Sequence, residues 1–205
     1  MDMPDDEGDE PSDDTVGHDD TRDPLAWETL DSRLDYRCPG FDVRRDAVRF
    51  PNGTEGEYHS VEEPDAVVVL PFTPEGDVVV IEEWRQAVGR RNLGLPAGGL
   101  EPDDDDLVAA ARRELVEETG YEAAELKLVG SFEPANGLLD ATHHHFVAHG
   151  CEPTGEQRLD DDESIRVDRR PFAQLRDRAL AGDLRDGRSA LAVLRHAVAE
   201  GENDR

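Results

Sequence analysis

The stretch that most limits how this chain can fold runs from Leu95 to Tyr121, LPAGGLEPDDDDLVAAARRELVEETGY. A glycine pair, Gly98 and Gly99, opens into an acidic segment over residues 101–106. The Asp run supplies N-cap oxygens and places negative charge where a helix dipole favours it. The residues from Ala109 to Leu115 are nearly all good helix formers, and Gly120 suits the left-handed position beyond a last turn. These signals predict a helix over 107–119. Within it Glu114, Glu117 and Glu118 stand at i, i+3 and i+4 and share one face. They crowd the C-terminal half, where the dipole disfavours negative charge, at roughly a few tenths of a kcal/mol per like-charge contact. A sequence that breaks a local rule in this way often does so at a functional site. Clustered carboxylates beside a tight backbone loop are the ligands that a hard cation such as Mg²⁺ takes. The spacing alone fits equally a solvated acidic face, with Arg113 pairing to Glu117.

The same residues resemble the signature of the Nudix family. That signature runs Gly, five residues, Glu, seven residues, then Arg-Glu-apolar-x-Glu-Glu-x-Gly-apolar. Gly99, Asp105 and Arg113-Glu114-Leu115-Val116-Glu117-Glu118-Thr119-Gly120-Tyr121 fall on it, with Asp105 standing as Asp for Glu. Pro96-Ala97-Gly98 is similar to the family's Pro-Ala-Gly, whose glycine is usually the signature's first. The loop here is longer by a residue, so Gly98 and Gly99 compete for that role. The resemblance implies an α/β fold, an α/β/α sandwich with a mixed β-sheet. It implies that Glu114 and Glu118 bind Mg²⁺, or Mn²⁺, helped by Glu117 and the Ala97 backbone carbonyl. Arg113 would orient one of the glutamates.

Composition narrows the partners. The chain has 205 residues, room for one domain and a small appendage. Its 50 acidic residues against 22 basic ones leave a net charge of -28, and its pI is about 4.4. Such charge argues against a nucleic-acid backbone or an anionic membrane as partner. It also self-repels at low salt, which molar salt, with a Debye length of about 3 Å, relieves. We therefore expect a halophilic setting, the plainer alternative being an acidic protein with a disordered tail. Cys38 and Cys151 are too few for a disulfide framework or a zinc site. No apolar run approaches the ~20 residues of a membrane span, and no secretory signal is visible, so the expected location is cytoplasmic. Residues 1–23 carry almost no large apolar side chains and are expected to be disordered.

Residues 24–62 read as a small N-terminal β appendage. The extended run 41–50 leads to a turn at Pro51-Asn52-Gly53-Thr54, and residues 58–61 return as a second strand. Asn52-Gly53-Thr54 also spells a glycosylation sequon, but without a secretion signal the turn is the better account. The main domain is expected over 63–200. Its β-branched runs 66–70 and 77–81 flank Pro74-Glu75-Gly76, a hairpin signal with strands covered on both faces. Residues 126–129 and 143–148 read as further strands. His143 and His145 share a face of the latter; no third ligand stands at zinc-binding spacing, so they read as ordinary strand histidines. A strand at 165–167 precedes a helix from Pro171 to Ala181, and a last helix is expected over 189–200 with Ser189 as N-cap.

Several of these segments resemble the ADP-ribose pyrophosphatase branch of the family. Trp84-Arg85 precedes a glycine-bearing connection and the Pro-Ala-Gly loop, which implies that Arg85 faces substrate phosphate. The plainer alternative for Arg85 is a salt bridge to Glu82 or Glu83. The N-terminal β segment implies a homodimer. The loop 131–137 is similar to one near the substrate, although Asn136 stands where that branch has a second proline. The acidic loop 159–165 implies a catalytic carboxylate, Glu163 first and then Asp162, with Asp160 and Asp161 adjacent. The implied reaction is hydrolysis of a nucleoside diphosphate sugar, with ADP-ribose giving AMP and ribose 5-phosphate. Trp84 and Tyr58 are candidates to stack on adenine, and Gly99 would lie beside the substrate. Other nucleoside diphosphate derivatives, oxidised nucleotides, or a nucleotide-sensing domain without turnover are the alternatives.

Overall fold

The computed structural model describes residues 23–104, 106–159 and 163–203. Nearly all of the acidic head, Asp105, and Asp160, Asp161 and Asp162 lie outside them. Strands and helices are numbered in chain order; β8 (Tyr121–Glu122) and β12 (Glu152–Pro153) form a short antiparallel pair of their own. The described chain forms two compact units. One holds Asp46–Tyr58 and the described residues before Arg33; the other holds Arg33–Arg45 and everything described from His59 onward.

In the first unit Trp27 packs edge-on against Phe50 and Tyr58, with ring centroids 4.6 and 5.6 Å apart. Arg49 bridges Glu28 and Glu55 at 2.7 and 2.8 Å. The expected turn is present: Gly53 takes φ 84° and the Asn52 side chain accepts from the Thr54 N–H. The strands differ from expectation. Three are found, β1 (Glu28–Arg37), β2 (Asp42–Arg49) and β3 (Glu55–Glu62); within the second unit, Val61 and Glu62 at the end of β3 pair with β10 (Leu139–Asp140). Strand β1 was not anticipated because nearly every residue on it is exposed. Its apolar alternation, Leu30, Leu34 and Tyr36, is broken at Ser32 and is too sparse to mark a strand.

In the second unit the strand β4 (Ala66–Pro71) is buried from end to end, and alternation explains how. Val67 and Val69 join Phe146 and Ala148 under Ala110, Ala111 and Leu115 of α1 (Leu107–Thr119). Val68 and Leu70 point the other way, into a core with Val147, Leu175 of α2 (Phe172–Leu180), and Ala192 and Val193 of α3 (Gly187–Asn203). Each fully buried valine or leucine contributes about 1.5–3 kcal/mol of transfer free energy. Helices thus cover both faces of a mixed sheet ordered β7-β4-β11-β9. Its members are β7 (Ala97–Gly99), β9 (Glu125–Phe132) and β11 (His143–His149). Strand β11 runs parallel to β4 and antiparallel to β9.

The expected hairpin around Pro74-Glu75-Gly76 needs correction. Its turn forms, with Thr73 N–H donating to Asp77 O at 2.8 Å and Gly76 at φ 87°. A bridge between Phe72 and Val78 follows, and then the strands part. Strand β5 (Asp77–Arg85) joins β13 (Ile165–Pro171) and β6 (Arg90–Gly94) in an antiparallel sheet. Each strand finds a longer ladder elsewhere, β4 on β11 and β5 on β13.

The last helix also starts earlier than expected, at Gly187, so Ser189 is not its N-cap. Ser189 is fully buried. Its hydroxyl donates to Asp186 Oδ2 and accepts from Leu95 N–H at 2.8 Å, tying α3 to the entrance of the glycine loop. Ser189→Ala strands a buried N–H, and we expect a stability loss of about 1–3 kcal/mol, read by urea denaturation.

Candidate active site

Helix α1 forms where its local signals place it. Asp106 caps it, its Oδ1 accepting from Val108 N–H and Ala109 N–H at 2.8 Å each. Gly120 closes it at φ 71°. The face that buries Ala110, Ala111 and Leu115 also buries Glu114 and Glu118, which are 8 % and 3 % exposed. Burying carboxylates is costly unless the protein answers them. The glycine loop is part of the answer. Ala97 N–H donates to Glu118 Oε2 at 2.8 Å. The Glu114 carboxylate lies over Gly98, where an added Cβ would come within 2.2 Å of it. At Gly99 a Cβ would meet only Pro64, at 3.9 Å. Gly98 is therefore the glycine that the contact with Glu114 requires.

Arg113 is the other part. Nε and Nη2 grip both oxygens of Asp104 at 3.1 and 2.9 Å. Nη2 also donates to Gly99 O at 2.9 Å. Nη1 reaches Glu114 at 2.7 Å and Glu117 at 3.0 Å. One guanidinium thus joins the glycine loop, the acidic segment and two of the three helix glutamates. Asp104 was not singled out from the sequence, because it is one of four adjacent Asp residues and only contact distinguishes it.

Two more carboxylates complete the site. Glu83, on β5, was missed; its position two residues beyond buried Ile81 on a strand was the available signal. Glu163 is half-buried. Burial first, and then charge, shifts the group as a whole. Glu118 is pushed up to about 8, chiefly by burial, with Glu114, Glu163 and Glu83 adding to it against the Ala97 hydrogen bond. Glu114 is pushed up to about 7 by burial, opposed by Arg113 and reinforced by Glu117 and Glu163. Burial also raises Glu83, with Glu163 and Asp186 adding and Arg85 and Arg188 opposing. Asp104, by contrast, is held low by its hydrogen bonds to Arg113.

The other predicted residues are placed as follows. Arg85 Nη2 lies 2.7 Å from Glu83 Oε2, as an ion pair rather than an aligned hydrogen bond. Trp84 faces the opposite side of β5, exposed, with Nε1 donating to Gln86 at 2.9 Å. Tyr58 packs on Trp27 in the first unit. Among the described residues no three His, Cys, Asp or Glu side chains form a ready-made metal cage; Arg113 stands between Glu114 and Glu117 instead.

A strap that the sequence did not reveal leads from α1 toward Glu163. Gln157 Nε2 donates to Glu118 O at 2.6 Å. Arg158 N–H donates to Glu117 O, and Thr154 N–H to Gly120 O. The free carbonyls at the end of α1 are thus capped by the segment that precedes Glu163.

The raised carboxyls set a sign for pH dependence. The folded form holds protons on Glu114 and Glu118 up to about 7 and 8, whereas the unfolded chain releases them near 4.5. Stability therefore falls as pH rises across that interval. Buried His145, lowered to about 4, acts oppositely below about 6.5, which leaves pH 6.5–8 as the clean window. In chelator, the melting temperature should drop across that window, and Glu118→Gln should flatten the drop.

Known proteins are similar to this chain in sequence and in fold. A model of the NUDIX domain matches residues 62–190. An ADP-ribose pyrophosphatase of Bacillus subtilis (strain 168) is 33% identical over 144 residues, 70% of this chain and 77% of its own. An ADP-ribose pyrophosphatase of Mycobacterium tuberculosis H37Rv is 29% identical over 177 residues, 85% of this chain and 86% of its own. A crystal structure of an ADP compounds hydrolase shares the fold, with TM-score 0.76 at 23% identity over 89% of this chain and 98% of its own. The glycine loop, Arg113 and the three glutamates of α1 all lie inside the matched segment, and the chain belongs to the Nudix family.

Proposed function

We propose that this protein hydrolyses the pyrophosphate bond of a nucleoside diphosphate sugar with the help of a divalent cation. ADP-ribose is the favoured substrate, giving AMP and ribose 5-phosphate. The observation that carries this reading is the carboxylate cluster around Ala97 and Gly98. Glu83, Glu114 and Glu118 are each raised chiefly by burial, with neighbouring acids, Glu163 among them, adding to it. The relatives named as ADP-ribose pyrophosphatases support the substrate class.

The donor set fits a hard cation, since it offers carboxylate and backbone oxygens and neither thiolate nor imidazole. Glu114 and Glu118 would hold Mg²⁺ or Mn²⁺, assisted by Glu117 and the Ala97 carbonyl. Bound there, the ion supplies charge neutralisation for a pyrophosphate and makes nearby water more acidic. The chain's own groups do the rest. Arg113 keeps Glu114, Glu117 and the loop at fixed spacing. Glu163 accepts the proton of the attacking water; its effect on three site carboxyls supports that role. Asp162, Asp160 and Asp161 are its alternatives. The water oxygen bonds to phosphorus, the bridging P–O bond breaks, and two monophosphates leave. Arg85 offers phosphate a planar guanidinium when it exchanges Glu83 for substrate. Gly99 lends backbone.

We further propose a homodimer in a halophilic, cytoplasmic setting. Leu30, Leu34 and Tyr36 alternate along β1 and are exposed, and a row of apolar side chains on an outer strand is suited to a second copy. No helix among the described residues is long and apolar enough to cross a membrane.

The wild-type protein should release AMP from ADP-ribose only with Mg²⁺ or Mn²⁺. Glu118→Gln and Glu163→Gln should each lower kcat by about a hundredfold or more, with unchanged far-UV circular dichroism. ADP-ribose binding without AMP release would leave a nucleotide-sensing domain instead. Sedimentation in molar salt should give a dimer that Leu34→Asp with Tyr36→Asp converts to monomer; a wild-type monomer at all salt concentrations refutes the assembly.

A further inference from the structure

The connection from β12 to β13 carries Glu163, and it is fastened to the helix of the glutamates before Glu163 is reached. Thr154 N–H and Gly155 N–H both donate to Gly120 O, at 3.0 and 3.3 Å, and Arg158 N–H donates to Glu117 O at 2.9 Å. Between them the Gln157 side chain donates from Nε2 to Glu118 O at 2.6 Å. The approach is close, for a Cβ added to Gly120 would come within 2.6 Å of Gly155 O. Glu117 and Glu118 lie in the last turn of α1, whose carbonyls have no partner within the helix. The strap therefore meets a need of the helix and is held by it in return.

The far end of the same connection is fastened as well. Ile165 opens β13 and pairs with Glu83 of β5. Glu163 stands two residues before this second anchor and is half-buried. Anchors at residues 154, 155, 157 and 158 divide a connection that would otherwise span residues 154–164, and a shorter span between fixed points has fewer arrangements open to it. Both ends are tied to elements that carry the site, α1 with its three glutamates and β5 with Glu83 and Arg85.

Gln157 differs from the other anchors. Those are backbone N–H groups, which every residue except proline supplies. The Gln157 bond belongs to its side chain, and a carboxylate of the same size could not donate it. The amide is also uncharged, so it makes this bond without adding to the crowd of carboxylates nearby.

We propose that Gln157 is a positioning residue for Glu163: by holding the strap on the Glu118 carbonyl, it sets the Glu163 carboxylate against the glutamates of α1. The consequence for catalysis rests on the reading of Glu163 as the proton acceptor of a nucleoside diphosphate sugar hydrolase. Gln157 acts through Glu163 and not on the substrate.

Two measurements test it on the full chain. Gln157→Ala should lower kcat for ADP-ribose about tenfold and change KM less than about twofold. Gln157→Glu, equal in size and without the donor, should match it. Gln157→Lys keeps a donor at a helix end that favours a cation, and should recover most of the loss. In protein that already carries Glu163→Gln, Gln157→Ala should cost less than about twofold, since the group it positions is gone. The same loss in both backgrounds, no loss in either, or a loss confined to KM overturns the proposal. Hydrogen exchange of the substrate-free protein reads the contact without turnover. Gln157→Ala should quicken exchange at Glu163, Ser164 and Ile165 as well as in the last turn of α1. Quickening confined to α1, or none, refutes the assignment. A wild-type protein that does not hydrolyse ADP-ribose defeats the proposed function, while hydrogen exchange still decides whether Gln157 holds Glu163.

Discussion

Two carboxylates pressed into the interior against a glycine backbone are the constraint to which the rest of this structure answers. Glu114 and Glu118 share the buried face of α1 with alanines and a leucine, so packing the helix drives their charge out of water. A Cβ on Gly98 would displace the Glu114 carboxylate from where it lies, and the Ala97 N–H is the hydrogen bond that Glu118 receives from the loop. The loop holds that position because β7 pairs with β4 and because Ser189 anchors Leu95. Strand pairing, helix packing and the site are thus one arrangement seen at three scales.

Arg113 limits the cost of this arrangement. Its guanidinium fork matches a carboxylate bidentately, and here it takes Asp104 that way while reaching Glu114, Glu117 and a loop carbonyl. A lysine could not span these partners with one rigid group. Even so, burial outweighs Arg113 at Glu114, and Glu118 has no cationic partner among the causes that shift it. Burial that no cation of the chain fully offsets is a local cost in stability, and such costs often stand at functional sites.

Much of this was legible in the sequence because it is local. The Asp cap, the run of helix formers and Gly120 delimited α1 to the residue. The β-branched runs marked β4 and β5 because both strands are buried on both faces. What was not legible depends on contacts between distant segments. Strand β1 exposes nearly every side chain, and its apolar alternation is interrupted at Ser32. Ser189 looked like a cap because hydroxyls cap helices, but its partner is a backbone N–H 94 positions earlier in the chain. The hairpin turn was correct and its pairing was not, since ladder length rather than the turn decided where β4 and β5 went.

The sequence alone determined the family, the helix that carries the glutamates and the chemical character of that helix, because spacing on a helix is set by its pitch. Tertiary structure decided which glycine touches a carboxylate, which Asp grips Arg113, and that Glu83 and Glu163 join the cluster. It also decided that the segment before Glu163 caps the end of α1. These are questions of distance between segments remote in sequence, and side-chain period can say which way a residue points but not what it meets.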